Sequence, residues 1–265
     1  MRMRTEVPPA FHPHLLSRIE DAGLNASAPP QQRWLDGWLL RLSPGKAKRA
    51  RCINAVAPGR LPAREKLVMA EAAYAQAGLP MIVRITPFTL PTGLDDLLET
   101  LGLQRFDDTR VMVLEDLDRF QPPAPKRPAA VVQAIGLEAF AQLVGGWRGS
   151  PLSQRQAHGQ RLANSPVPFS AFELRLDGEV LACGQIAVEA DLVGIYDVFT
   201  AQHARGYGLA AQVCAHLLVV AREHGARHAY LQVEPDNAPA RAVYHRLGFA
   251  DAYRYHYRAR DPSVA

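Results

Sequence analysis

Arg205-Gly206-Tyr207-Gly208-Leu209-Ala210 follows a strand-like run, Gly194-Ile195-Tyr196-Asp197-Val198-Phe199-Thr200, and opens a helix-like run that lasts to about His224. A strand, a glycine-containing turn and a helix start together make an anion site. The first backbone N–H groups of a helix have no internal acceptor, and the macrodipole adds about half a positive charge there. Gly206 and Gly208 permit a tight turn and let a phosphate approach with no Cβ in the way. Taken alone, the pattern also fits a plain loop. Two pyrophosphate-binding spellings are absent: no G-x-x-x-x-G-K-[ST] string occurs, and Gly206-Tyr207-Gly208 runs into Leu209, Ala210 and Ala211 with no acidic residue closing a following strand.

The spelling that is present is R-x-x-G-x-A, with Arg205, Gly208 and Ala210 in the fixed positions. It resembles the acyl-CoA pyrophosphate loop of the GNAT superfamily of N-acyltransferases. A second piece, 39 residues on from Arg205 to Tyr244, is Asn237-Ala238-Pro239-Ala240-Arg241-Ala242-Val243-Tyr244-His245-Arg246-Leu247-Gly248-Phe249. It is similar to that superfamily's N-x-x-A-x-x-x-Y-x-x-x-G-F segment, and a strand-like Ala229-Tyr230-Leu231-Gln232-Val233 lies between the two. Order and spacing together imply a GNAT acyl-CoA fold, an α/β architecture with a mixed sheet.

At 265 residues the chain exceeds one typical domain of ~100–200 residues, and its 48% hydrophobic content supports full cores. The net charge is +4 and nearly all basic charge is arginine, the only lysines being Lys46, Lys48, Lys66 and Lys126. That balance suits a solvated surface, a CoA ligand or a nucleic acid alike. Basic and aromatic residues do not interleave on one strand face, which argues against nucleic acid. Cys52, Cys183 and Cys214 form no disulfide framework and have no metal spacing, which fits buried thiols and a reducing compartment. Met1-Arg2-Met3-Arg4-Thr5-Glu6 lacks the apolar core of a secretion signal, and no run approaches eighteen apolar residues. The expectation is a cytoplasmic protein that neither uses a metal nor binds a membrane; oligomeric state is not legible.

Gln121-Pro122-Pro123-Ala124-Pro125-Lys126-Arg127-Pro128 reads as a linker, because four prolines in eight residues forbid a helix or a central strand. It divides an N-terminal domain, 1–120, from a C-terminal domain, 129–265. In the C-terminal part, strands are expected at 131–134, 171–176, 180–188, 193–200, 229–233 and 250–258. Helices are expected at 137–145, 152–163, from the loop to Gly225, and 239–247. Ala210, Val213, Cys214, Leu217, Leu218 and Ala221 give the third helix one buried stripe. The N-terminal part repeats the later elements, with strands at 37–42, 51–56, 81–86 and 109–114 and helices at 64–77 and 94–101. Superposing Gly102-Leu103 on Gly248-Phe249 puts Leu98 under Tyr244, Gly59 under Arg205, Pro62 under Gly208 and Arg64 under Ala210. Pro62 has no N–H to donate, so the resemblance implies two GNAT-like folds in tandem with a degenerate first copy. Asp36-Gly37-Trp38-Leu39-Leu40-Arg41 and Arg51-Cys52-Ile53-Asn54 resemble tandem GNAT proteins in architecture.

Acyl transfer from a thioester to an amine needs a held CoA, a polarised carbonyl, a deprotonated amine and a proton for the leaving thiolate. By the resemblance, the amides of Gly206, Tyr207, Gly208, Leu209 and Ala210 hold the pyrophosphate, with Arg205 pointing either to phosphate or to solvent. The strand Val198-Phe199-Thr200 pairs with the pantetheine arm, and the Val198 N–H faces the thioester oxygen. Tyr244 is the candidate general acid, against the alternative of a packed helix aromatic. Asn237 either contacts pantetheine or caps the helix carrying Tyr244. Asp197 is the first candidate base, followed by Glu234, Glu189 and a water chain. His203 flanks the loop or lies on the surface. Trp147, Arg148 and the segment 145–151 fall where GNAT folds vary to suit their acceptors. The implied activity is transfer of acetyl from acetyl-CoA to a primary amine, borne by a small molecule, an amino acid or a peptide end, by direct attack in a ternary complex. The other reading of the same residues is a non-catalytic acyl-CoA-binding regulator.

Overall fold

In the computed structural model, residues 11–45 and 47–264 are described. Residues 1–10, including the Met1–Glu6 stretch weighed above as a signal, lie outside the described residues, as does Lys46. The elements of the first half are α1 (Pro13–Ala26), β1 (Gln32–Leu35), β2 (Trp38–Arg41), β3 (Ile53–Ala55), α2 (Ala63–Gln76), β4 (Ile82–Ile85), α3 (Leu94–Thr100) and β5 (Gln104–Leu114). Then come β6 (Val131–Ile135), α4 (Leu137–Trp147), α5 (Leu152–Ala163), β7 (Phe169–Leu176), β8 (Glu179–Glu189) and β9 (Leu192–Thr200). The chain ends with α6 (Leu209–Glu223), β10 (His228–Val233), α7 (Ala238–Arg246) and β11 (Ala250–Ala259).

Two compact units form, one from residues 11–26 with 111–252 and one from 27–110 with 253–264. The proline-rich segment 121–128 is irregular, as expected, but lies within the first unit. The unit boundaries fall just after α1, inside β5 and inside β11. The chain path therefore differs from two consecutive domains at 1–120 and 129–265. The end of β11 pairs antiparallel with β4, His256 opposite Ile85 and Ala259 opposite Ile82, while β5 neighbours β10. Each repeat thus gives its last strand to the other unit's sheet. Backbone pairing carries no residue code, so a strand's own pattern names its buried face but not its neighbour.

In the first unit the strand order is β5-β10-β9-β8-β7-β6. The β6–β7, β7–β8 and β8–β9 pairs are antiparallel and β9–β10 is parallel. Its core is organised by α6, whose Val213, Cys214, Leu217, Leu218 and Ala221 are buried, with Ala210 half-buried at the start of the stripe. Each leucine so buried contributes about 1.5–3 kcal/mol relative to exposure. The helix stops at Gly225, where the Ala226 N–H bonds the Ala221 carbonyl at 3.0 Å and satisfies one of the last orphan acceptors. α1 packs into this unit through an Arg18–Asp191 ion pair and an Asn25 Nδ2 bond to Glu189 Oε1 at 2.8 Å.

The second unit has the order β1-β2-β3-β4-β11 and repeats the pairing senses: antiparallel, antiparallel, then parallel for β3–β4. Its core gathers Trp38, Leu40, Ile53, Leu67, Tyr74, Val83, Leu94 and Leu98. The repeat extends to the helix ends. Leu79 N bonds the Tyr74 carbonyl at 2.9 Å after α2, and Leu103 N bonds the Leu98 carbonyl at 3.0 Å after α3. Those are the closures that Ala226 and Phe249 make after α6 and α7. At the start of α2, where the repeat puts the counterpart of the glycine turn, the Asp36 carboxylate accepts from Arg60 N at 2.8 Å and Leu61 N at 2.7 Å. The backbone bonds from Leu61 and Arg60 hold its pKa below the usual carboxylate range. Lys66, fully buried, donates to the Asp36 carbonyl at 3.0 Å and stands over the Trp38 ring at 4.7 Å.

Candidate active site

The turn between β9 and α6 is built as its residues dictate. A short 3₁₀ turn, Gln202–Ala204, leads into Arg205, and both Gly206 (φ +86°) and Gly208 (φ +81°) take the left-handed conformation open to glycine. Gly208 is the N-cap of α6 and has no side chain to close the helix, so the amides that open α6 lack a capping acceptor. The Arg205 side chain is exposed and leans back on the strand before the loop. Its Nε donates to the Thr200 carbonyl at 3.4 Å and its guanidinium carbon lies 5.6 Å from the Phe199 ring. Tyr207 is half exposed, and His203 pairs with Glu179 at 3.0 Å on the surface.

β9 changes partners along its length. It pairs with β10 from Leu192 opposite His228 to Ile195 opposite Leu231, and there the register between the two strands ends, although β9 runs on to Thr200. On its other edge the pairing with β8 continues, Tyr196 opposite Gln185 and Phe199 opposite Cys183. Gly184 therefore faces two residues, Asp197 and Val198, in a β-bulge, and Asp197 carries a φ of +48°. A Cβ on Gly184 would stand 3.0 Å from Leu217 Cδ1 and 3.1 Å from Val213 Cγ1, so α6 packs closely on the strand at the bulge. The segment from Tyr196 to Thr200 thus presents an edge without a strand partner among the described residues, directly before the glycine turn.

Asp197 is the centre of a polar cluster. Arg148 Nη1 donates to Oδ1 at 2.8 Å, Gln185 Nε2 donates to Oδ2 at 2.7 Å, and His158 Nε2 lies 3.5 Å from Oδ2. Burial alone would raise the carboxyl pKa, but His158 and the Arg148 charge outweigh it and hold the group well below the usual carboxylate range. Such a carboxylate is a poor proton acceptor, and its geometry suits holding charge in place. Trp147 stacks on Phe199 at 5.7 Å and 22°, with the Arg148 guanidinium 5.8 Å from the same ring. Of the other candidate bases, Glu189 is bonded by Asn25, whereas Glu234 is exposed at the end of β10. His158 and Gln185 had no motif to announce them; they reach Asp197 from α5 and β8.

Tyr244 is buried on α7, edge-on to Phe249 at 6.1 Å. Burial first and the neighbouring Cys214 second push its pKa up. Among the described residues its hydroxyl has no hydrogen-bond partner. Val198 packs against the cluster that contains Tyr244, Val213, Cys214 and Leu217, so both predicted residues border one core. Asn237 caps α7 by accepting from Ala240 N at 3.2 Å, the second of its two expected roles. Burial raises the thiol pKa of Cys52 to about 11 and those of Cys183 and Cys214 to about 12. Among the described residues, no group of His, Cys, Asp or Glu could hold a metal ion, and no helix is long and apolar enough to cross a membrane.

A family model described as "Probable histone acetyltransferase Rv0428c C-terminal" matches residues 16–258. The Bacillus subtilis (strain 168) protein named "Uncharacterized N-acetyltransferase YobR" is 29% identical over 237 residues, 86% of this chain and 91% of its own. A GCN5-related N-acetyltransferase from Kribbella flavida superposes with a TM-score of 0.71 at 18% identity, covering 93% of this chain and 95% of that one. A tandem GNAT protein from the clavulanic acid biosynthesis pathway gives a TM-score of 0.61 at 17% identity, covering 75% of this chain and 70% of its own.

Proposed function

Because the chain belongs to the Rv0428c C-terminal family and is an N-acetyltransferase of the GNAT type, we propose that it transfers acetyl from acetyl-CoA to a primary amine in a ternary complex. The observation that carries this reading is the parting of β9 from β10 after Ile195, immediately before the glycine turn. An open strand edge there suits an extended amide-bearing arm, and the amides that open α6 suit the pyrophosphate at its end.

In this reading the amides from Gly206 to Ala210 hold the pyrophosphate, and the free edge of Val198, Phe199 and Thr200 aligns the pantetheine. The bulge at Asp197 turns the Val198 N–H toward the thioester oxygen, where it stabilises the charge that develops as nitrogen attacks. The new C–N bond forms as the C–S bond breaks. Tyr244 gives its phenolic proton to the sulfur and regains one from water. The proton lost by the amine leaves through solvent, with Glu234 the exposed carboxylate at the end of β10. Asp197 serves as an anchor instead of a base, fixing Arg148 beside Phe199. Asn237 acts through the cap of α7, which sets the angle at which Tyr244 is presented. The second unit, with Asp36 across its loop, works as a non-catalytic partner copy.

Consumption of acetyl-CoA followed by free-thiol release, against a panel of small amines, amino acids and peptides, tests the proposal. Amine-dependent release supports transfer. Tight acetyl-CoA binding without release against any amine would favour the acyl-CoA-binding regulator instead.

A further inference from the structure

The proline-rich segment is fastened to α6 at both ends. Arg222 Nη1, in the last turn of the helix, donates to the Phe120 carbonyl at 2.8 Å, and Gln212 Nε2, in the first turn, donates to the Ala130 carbonyl at 3.0 Å. Phe120 and Ala130 are both buried in the core cluster that α6 organises. From Gln212 to Arg222 the helix rises ~15 Å, whereas ten residues of extended, proline-rich chain span up to ~31 Å. The strap is therefore longer than the path it must cover, and the surplus overhangs the start of the helix. Lys126 Cδ lies 2.8 Å from where a Cβ on Gly208 would stand, and the Arg127 guanidinium carbon lies 5.0 Å from the exposed Tyr207 ring.

Both cations are exposed, and among the described residues neither forms an ion pair. The fold thus brings two positive side chains to the positive end of a helix dipole with no carboxylate to balance them. For the free chain that arrangement is repulsive. Arg205 adds a third exposed cation at the loop, its Nε turned back to the Thr200 carbonyl and its guanidinium beside the Phe199 ring. A polyanion on the loop would be attracted to each of these cations and to the amides that open α6, offsetting that repulsion.

We propose that Lys126 and Arg127, carried by the strap and outside the glycine loop itself, bind the phosphates of the acyl-CoA and select for the nucleotide-bearing form of the thioester. The inference rests on the acetyl-CoA reading above. Calorimetric titration of the full-length chain with CoA tests it, comparing wild type with a Lys126→Ala/Arg127→Ala pair and a charge-keeping Lys126→Arg/Arg127→Lys pair. The alanine pair is expected to weaken CoA binding roughly tenfold or more and to flatten its salt dependence, while the charge-keeping pair stays near wild type. Unchanged affinity in the alanine pair, or an equal loss in both pairs, overturns the role of the strap charges. Failure of wild type to bind CoA at all overturns the acetyl-CoA reading together with this one, so the two failures are distinguishable.

Discussion

Replacing Tyr244 by Phe separates catalysis from packing, because the structure gives the ring and the hydroxyl different jobs. The ring is buried against Phe249 and Cys214, and phenylalanine keeps those contacts. The hydroxyl has no hydrogen-bond partner among the described residues, so its removal forfeits no bond. A partnerless polar group in a largely buried place costs stability, hence the variant should melt at the wild-type temperature or up to a few degrees higher, corresponding to at most about 1 kcal/mol. If the hydroxyl supplies the proton to the departing thiolate, kcat should fall by about 10²–10⁴, or ~3–5 kcal/mol of barrier, with acetyl-CoA affinity unchanged. Burial also keeps the phenol protonated well beyond its ordinary range, so this residue should give wild-type turnover no alkaline limb below about pH 10. The assay is steady-state thiol release with saturating amine, beside calorimetric affinity and a melting curve for the same preparation. Turnover within a few-fold of wild type, at unchanged melting temperature, would remove Tyr244 from the chemistry and leave it a core residue.

Other consequences follow from the same geometry. The raised thiol pKa values of the three buried cysteines mean that native protein should resist a thiol reagent at pH 8 for as long as it stays folded, and should give three equivalents on denaturation; fast native labelling would contradict that burial. Asp197→Asn should lower stability at pH 7 by about 1 kcal/mol, a few degrees of melting temperature. Since the folded pKa of Asp197 is depressed, that loss is complete above the unfolded value near 4 and shrinks as pH falls toward the folded value, so a pH-independent difference would exclude the charge as its cause. Titration with acetyl-CoA should saturate at one equivalent per chain, and a second equivalent would mean that the start of α2 also takes a nucleotide.

What the sequence made legible was local. The loop, the caps and the helix stops depend on residues a few positions apart, and Gly206, Gly208, Gly225 and Asn237 all do in the structure what their types allow. The element pattern was readable for the same reason, except at β1, whose four exposed or half-exposed residues mark no buried face; α1 did carry the signal, with Leu15, Ile19, Ala22 and Ala26 at helical spacing along one buried face. Two things depended on distance in the chain. The exchange of β5 and β11 between units is a choice of neighbour that no strand encodes in its own residues. The fate of Asp197 was set by Arg148, 49 positions away, and by Gln185 and His158 on other elements. Seen alone, a carboxylate beside the expected thioester reads as a base; against its burial, His158 and Arg148 hold its pKa below the usual carboxylate range, which is why we propose an anchoring role for it.

The two repeats differ at the loop that begins the helix. Both begin a helix after a parallel-paired strand, and both leave orphan amides there. In the first unit the N-cap is Gly208, and the cations nearby come from the strap. In the second the N-cap is Pro62, which has no N–H, and the Asp36 carboxylate occupies the amides of Arg60 and Leu61. Asp36 also comes from the turn before β2, so its backbone is fixed by the sheet and its side chain reaches the loop without a hinge. A Cβ on Gly59 would collide with the Asp36 carbonyl, which shows how closely that turn has closed on the loop. An incoming phosphate would have to displace a carboxylate whose charge the loop amides and Lys66 already balance. The same backbone plan thus meets its anion from within in one copy and is left open for one from outside in the other.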